Sequence, residues 1–244
     1  MLRGEVSVDL PPHSLTRRRA AAWGVHAFTA SGAAIAVAAL LACMRGDLHV
    51  AALWILLALV IDSVDGTLAR RVGVSEVLPG IDGRRLDDIV DYVNYVIVPA
   101  VFVVQAGAVT HPWVAAVTVI ASAYGFSQVD AKTEDHFFVG FPSYWNVVAI
   151  YLWALGVPAA IGTAILLALS AAVFVPLKYI YPSRMNALWW TTNGTAAIWA
   201  TVVALAISRA EGLPNQTVMW ASLAYPVYYL GISFWLGGRH GRGS

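Results

Sequence analysis

Charge is scarce in this sequence. Asp, Glu, Lys and Arg make up 12% of its 244 residues, against 59% hydrophobic, about half the charged share of a soluble domain. So few polar groups could not cover a soluble core of this size, so the bilayer is the expected solvent. Cysteine is nearly missing. Cys43 stands alone, which excludes an intrachain disulfide and any multi-cysteine metal centre. A net charge of +1 offers no basic field of the kind that attracts nucleic acid. Strand-like alternation is absent over any useful length, so an outer-membrane barrel is not expected. No cleavable signal is expected either. Residues 1–19 are polar, with Pro11, Pro12 and the basic run Arg17, Arg18, Arg19, and suit a cytoplasmic tail.

What is present is a series of long apolar segments. A helix needs about 20 mainly apolar residues to cross the hydrocarbon core. Eight segments meet or approach that length, at 20–43, 48–69, 86–107, 111–128, 140–156, 158–176, 186–208 and 217–236. The expected fold is an all-α polytopic transmembrane bundle over 20–236, between cytoplasmic tails at 1–19 and 237–244. With the N-terminus inside, 13 of the 15 Lys and Arg residues fall on the cytoplasmic side, and only Arg45 and Arg209 fall outside, as the positive-inside rule requires. A helical bundle of this kind points to a bacterial inner membrane. The run Ala30 to Ala34, containing Gly32, suits close helix packing. His26, in the first span, is expected to make a helix–helix hydrogen bond.

Acidic residues gather where spans two and three meet the cytoplasm. Asp62 and Asp65 are three apart, and Asp87 and Asp91 four apart, so on helices each pair shares a face. The connection 71–82 is short, which makes the two spans antiparallel neighbours and lets the pairs converge. Four carboxylates together repel unless something positive sits between them, and the membrane edge raises the cost. Oxygen ligands without clustered His or Cys favour Mg2+ or Mn2+. Two such ions would balance four charges and suit phosphoryl chemistry. Gly66 and Gly83, on the same faces, leave room for a nucleotide, and Arg70 can neutralise phosphate oxygens. Asp82 and Asp88 lie off the shared face and read as solvated or structural.

The pattern Asp62-x-x-Asp65-Gly66-x-x-Ala69-Arg70, then Gly83-x-x-x-Asp87-x-x-x-Asp91, resembles the signature of the CDP-alcohol phosphotransferases. The long spacer 71–82, the stretches 81–92, 131–138 and 140–146, and the count of eight spans are similar to the bacterial subgroup that joins free choline to CDP-diacylglycerol. The resemblance implies that Asp62, Asp65, Asp87 and Asp91 are the metal-site carboxylates and that Asp91, with Asp87, is catalytic. It also implies a CDP site of Gly66, Ala69, Arg70, Gly83 and Thr29, opening to the cytoplasm. The acceptor would be choline, the product phosphatidylcholine, and membrane lipids the surroundings; a homodimer is compatible. A quaternary ammonium calls for aromatic faces and a carboxylate, for which Tyr95, Tyr144, Trp145 and Glu134 are the candidates. Two rivals stay open. One is the same chemistry on serine, inositol or glycerol phosphate. The other is an ion-coupled transporter, which would leave the glycine, alanine and arginine offsets without a reason and would place its acids nearer mid-bilayer.

Overall fold

The computed structural model describes residues 12–129, 131–133, 135–185 and 188–237. Glu134 therefore lies outside the described residues. The chain is mainly helical, and among the described residues three helices are long and apolar enough to cross a membrane: Leu15–Met44, Leu48–Val72 and Trp189–Ser208. Shorter apolar helices run over Trp113–Ser127, Trp145–Ala154 and Ala159–Ala172.

Helix α1 (Pro12–Met44) begins earlier than the expected span, with proline at a first-turn position where its missing N–H costs nothing. At 33 residues it is about 50 Å long, more than the hydrocarbon core needs. Gly46, at φ +75°, makes the turn into α2 (Leu48–Val72), and Asp47 caps α2 by accepting from Val50 N. Alanines let α1 and α2 lie close. Ala36, Ala39, Ala42, Ala51 and Ala52 are all buried, and none carries a side chain that would hold the backbones apart. Gly73, left-handed at φ +67°, ends α2 by donating to Ala69 O and Arg70 O. After the single turn α3 (Val74–Val77), Asp82 caps α4 (Gly83–Tyr92) through Arg85 N.

The third expected span is one continuous helical run broken in character. It passes from α4 through a π-helical segment, Val93–Ile97, into α5 (Val98–Gln105). Pro99 explains the change, because a proline cannot donate to the carbonyl four residues back, here that of Tyr95. Val98 N turns instead to Val93 O, the wider ring of a π segment.

Helices α6 (Trp113–Ser127), α7 (Trp145–Ala154) and α8 (Ala159–Ala172) follow. Of the expected span 140–156, only the ten residues of α7 are helical. Its residues from Ala149 to Ala154 are all buried, so α7 is an interior helix. Two three-residue strands, absent from the sequence reading, pair antiparallel: β1 (Phe137–Val139) with β2 (Lys178–Ile180), Phe138 opposite Tyr179. They bring the loops after α6 and α8 to one face of the molecule. The chain closes with α9 (Trp189–Ser208), α10 (Gln216–Ser222) and α11 (Ala224–Leu236). Large apolar side chains such as Trp23, Leu57, Ile120, Ile198, Trp220 and Val227 are exposed, an exterior suited to lipid rather than water.

Candidate active site

Helices α2 and α4 both pack against α1, and their acidic side chains meet there. Asp62, Asp87 and Asp91 each present one carboxylate oxygen, and the three oxygens lie within 4.8 Å of one another. Asp62 and Asp91 are in hydrogen-bond contact. Asp65 stands at the edge of this group. It is buried, accepts the Thr29 hydroxyl from α1, and lines with Thr29, Gly32, Asp62, Asp91 and Tyr95 one small cavity. The two pairs therefore do meet across α2 and α4, three acids tightly and the fourth through its neighbour.

Two features hold this geometry. Asn94 Nδ2, within the π segment, donates to Gly32 O at 3.0 Å and to Val90 O at 3.1 Å, which pins α4 to α1 just beyond Asp91. The Tyr95 hydroxyl donates to Asp62 Oδ2 at 2.5 Å and ties the same segment to α2. So short a contact marks a charge-assisted hydrogen bond.

Like charges this close need a counter-charge. Lys132, from the loop after α6, pairs with Asp88 at 3.3 Å. Burial works against its charge, but Tyr181, Asp88 and Asp87, in that order, outweigh it and hold its pKa above the ordinary lysine value. One half-exposed lysine cannot balance the whole group. Oxygen donors from three side chains within one small volume suit a hard divalent cation, and Asp62, Asp87 and Asp91 could hold one.

Arg70, exposed at the end of α2, folds back so that its Nη2 donates to Thr67 Oγ1 at 3.0 Å. Its Nη1 lies 3.3 Å from where a Gly66 side chain would begin. Ala69 packs with Ala22, Val25, Val74 and Leu78. Gly83 faces α1, and its absent Cβ would sit 3.1 Å from His26 Cε1. Gly66, Ala69, Arg70, Gly83 and Thr29 thus lie on the three helices that carry or adjoin the acids.

The aromatic candidates divide. Tyr144 lies 6.0 Å from Tyr95 and 5.6 Å from Tyr229, ring centre to ring centre. Trp145 is not in that group: its indole donates to Ser122 Oγ at 2.6 Å and its ring meets Phe141. Asp82 is the α4 cap and Asp88 the partner of Lys132.

No family model matches the chain. Individual relatives do. A phosphatidylcholine synthase from Legionella pneumophila is 41% identical over 235 residues, spanning 92% of this chain and 91% of the relative. One from Pseudomonas aeruginosa is 36% identical over 225 residues, 91% of this chain and 94% of the relative. The chain belongs to the phosphatidylcholine synthase family. Rhizobium meliloti contributes a more distant phosphatidylcholine synthase, 33% identical over 184 residues, 74% of this chain and 76% of that one. The first two matches each cover more than nine-tenths of this chain, and this member of the family is an enzyme.

Sequence reasoning did not single out several residues that adjoin the acidic and aromatic groups in this member of the phosphatidylcholine synthase family. Lys132, which the sequence pattern offers only as one more basic residue, pairs with Asp88. Tyr229 carried one usable signal, a tyrosine-rich stretch with Tyr225 and Tyr228 in the last apolar segment. His26 was expected to bond another helix, yet its Nε2 is buried without a hydrogen-bond partner among the described residues.

Proposed function

We propose that the chain transfers the phosphatidyl group of CDP-diacylglycerol to choline, yielding phosphatidylcholine and CMP. The observation that carries this reading is the convergence of Asp62, Asp87 and Asp91, in a chain whose relatives bear the name phosphatidylcholine synthase. In the reaction the choline hydroxyl oxygen bonds to the phosphorus carrying diacylglycerol, and the bond from that phosphorus to the CMP oxygen breaks. Asp91 accepts the hydroxyl proton. Asp62, Asp65, Asp87 and Asp91 would hold divalent metal, Mg2+ or Mn2+, as two ions. Bound metal supplies charge to orient the diphosphate and stabilise the leaving phosphate oxygen. Gly66, Ala69, Arg70, Gly83 and Thr29 receive the CDP portion, Arg70 by its charge and the small residues by the space they leave. Tyr95 keeps Asp62 oriented through its hydroxyl.

The same reading sets the protein in a bacterial inner membrane with eight spans, both tails and the site on the cytoplasmic side. That side carries CMP and choline, which are water-soluble, and the headgroup of the donor lipid. It includes no nucleic-acid partner and accommodates a homodimer.

The decisive experiment uses protein purified in detergent, stripped of metal with EDTA and supplied with CDP-diacylglycerol and labelled choline. Phosphatidylcholine should form only after Mg2+ or Mn2+ is restored. Product formed without metal, or labelled serine, inositol or glycerol phosphate accepted in place of choline, would overturn the corresponding part of the reading.

For the acceptor, the tyrosine faces beside Asp62 favour a quaternary ammonium. Tyr95, Tyr144 and Glu134 remain in the choline site, joined by Tyr229; Trp145 stays a weaker member because its indole is engaged by Ser122. Cation–π contacts of about 1–2 kcal/mol correspond to about a ten-fold change in affinity. Tyr144→Ala and Tyr229→Ala should each raise the KM for choline by about that factor, while the KM for CDP-diacylglycerol stays put. Initial-rate kinetics with each substrate varied in turn will check this, and an unmoved choline KM removes both tyrosines from the pocket.

A further inference from the structure

Asn94, in the π segment, ties α4 to α1, and the way it does so leaves one end of its side chain free. It is only 6% exposed. Its amide nitrogen faces two carbonyls, Gly32 O at 3.0 Å and Val90 O at 3.1 Å. A carbonyl only accepts, so the amide has a single workable orientation: both N–H groups are spent on these bonds and Oδ1 points away from them. Among the described residues nothing donates to that oxygen. Nor is Oδ1 sealed within the protein as His26 Nε2 is. It opens onto the small cavity that Asn94 lines with Asp62, Asp65 and Asp91.

The size and the walls of that cavity decide what fits it. It holds about 10 Å³, about the room of one water-sized sphere, which suits an ion or a water and no larger group. Its hydroxyl donors are already used, Thr29 on Asp65 and Tyr95 on Asp62. The polar surface left over is carboxylate oxygen and the Asn94 amide oxygen, all of it acceptor. A water would bring two protons but no charge, and the repulsion among the acids would stand. A hard divalent cation meets both needs, and such ions take amide oxygens together with carboxylates.

We propose that Asn94 is a further metal ligand, its Oδ1 coordinating a divalent cation in the cavity of Asp62, Asp65 and Asp91. This rests on the metal reading given above and adds a residue to it. Hard divalent cations take about six oxygens or more, and a neutral one raises the number without adding a fifth negative charge to the four carboxylates. Asn94 thereby does two things at once. Its nitrogen fixes α4 against α1, and its oxygen ties the cation to that same junction.

The test uses the full-length protein in detergent, stripped with EDTA, with Mn2+ alone as the probe and no substrate. Free Mn2+ is read by electron paramagnetic resonance, and thermal midpoints in EDTA show which variants are folded beforehand. Asn94→Ala should weaken Mn2+ binding by about ten-fold or more, a loss that even an outer-shell partner brings. That variant also gives up the bonds to Gly32 and Val90, so two others separate ligation from packing. Asn94→Asp loses the N–H donors but keeps an oxygen at the cavity, and should bind Mn2+ about ten-fold more tightly than Asn94→Ala. Asn94→Cys puts a soft ligand at the same point. With Cd2+ it should show a thiolate-to-metal absorption band in the ultraviolet. Wild type should show none, because its one thiol, Cys43, is buried about 16 Å along α1 from Gly32. Should Asn94→Ala fail to fold, the Cd2+ band of Asn94→Cys decides. Equal weakening in Asn94→Ala and Asn94→Asp, with no band in folded Asn94→Cys, would overturn the proposal and leave the side chain as a helix pin. If wild-type protein binds no Mn2+, the metal reading fails first and this inference with it. If wild type binds Mn2+ and folded Asn94→Ala binds it as tightly, the asparagine alone is set aside.

Discussion

Asp91→Asn should reduce CMP release by about a thousand-fold or more, within the range lost when a general base is removed. The substitution keeps the volume and one oxygen of the side chain but removes its charge and its capacity to take a proton. Asp91 touches Asp62, and its oxygen belongs to the group of three within 4.8 Å, so no neighbouring carboxylate is free of its own contacts to replace it. Asp87→Asn should be comparably damaging for a different reason: it takes one negative charge from the group that holds the cation and leaves Asp91 in place. Both variants should reach the membrane in normal amount, because losing one of several crowded negative charges relieves repulsion and asparagine is accommodated in the same helix. The check is turnover of purified protein at saturating CDP-diacylglycerol and choline, normalised to folded enzyme. Near wild-type turnover in either variant would remove that residue from the proposed chemistry. A separation of the two by metal titration is also expected: higher Mn2+ should partly rescue Asp87→Asn and do nothing for Asp91→Asn.

The acids were legible in the sequence because the signal is local. Spacings of three and four on helices fix a shared face whatever the rest of the fold does, and the short link 71–82 fixes which helices are neighbours. The apolar segments were legible as membrane-suited for the same reason. What was not legible depends on contacts between distant residues. The π segment follows from Pro99 together with Asn94 reaching Gly32, 62 positions earlier. The strand pair joins residues about 40 positions apart, each strand three residues long, too short for alternation to be read. Trp145 illustrates the limit most plainly. Adjacent to Tyr144 in sequence, it points to Ser122, because neighbouring residues where a helix begins leave in different directions. The segment 140–156 looked like a span by composition alone. Burial inside the bundle calls for the same apolar residues as burial in lipid, so hydropathy did not show that only ten of those residues form a helix.

Gly32 offers the second large effect, since it connects packing to the site. A Cβ at this position would stand 2.6 Å from Val90 Cγ1 and 3.4 Å from Asn94 Nδ2. Val90 is buried on α4 beside Asp91, and as a β-branched residue it has little rotameric freedom with which to yield. The clash therefore passes to the backbone of α4, and it threatens the Asn94 bond to Gly32 O that fixes this helix. Displacing Asp87 and Asp91 by about 1 Å relative to Asp62 is enough to cost about a hundred-fold in rate. Gly32→Ala should lower turnover by about ten-fold, and Gly32→Leu by at least about a hundred-fold, with none of the acidic side chains altered. Trimming the other partner separates this from a general loss of stability. Val90→Ala combined with Gly32→Ala restores the missing volume on the opposite side, and the pair should regain most of the lost turnover, a non-additivity expected only of residues in direct contact. Turnover and thermal midpoint measured for all four members of that cycle decide the matter. If Gly32→Ala turns over like wild type, or if Val90→Ala gives no rescue, α4 is positioned by something other than its contact with α1.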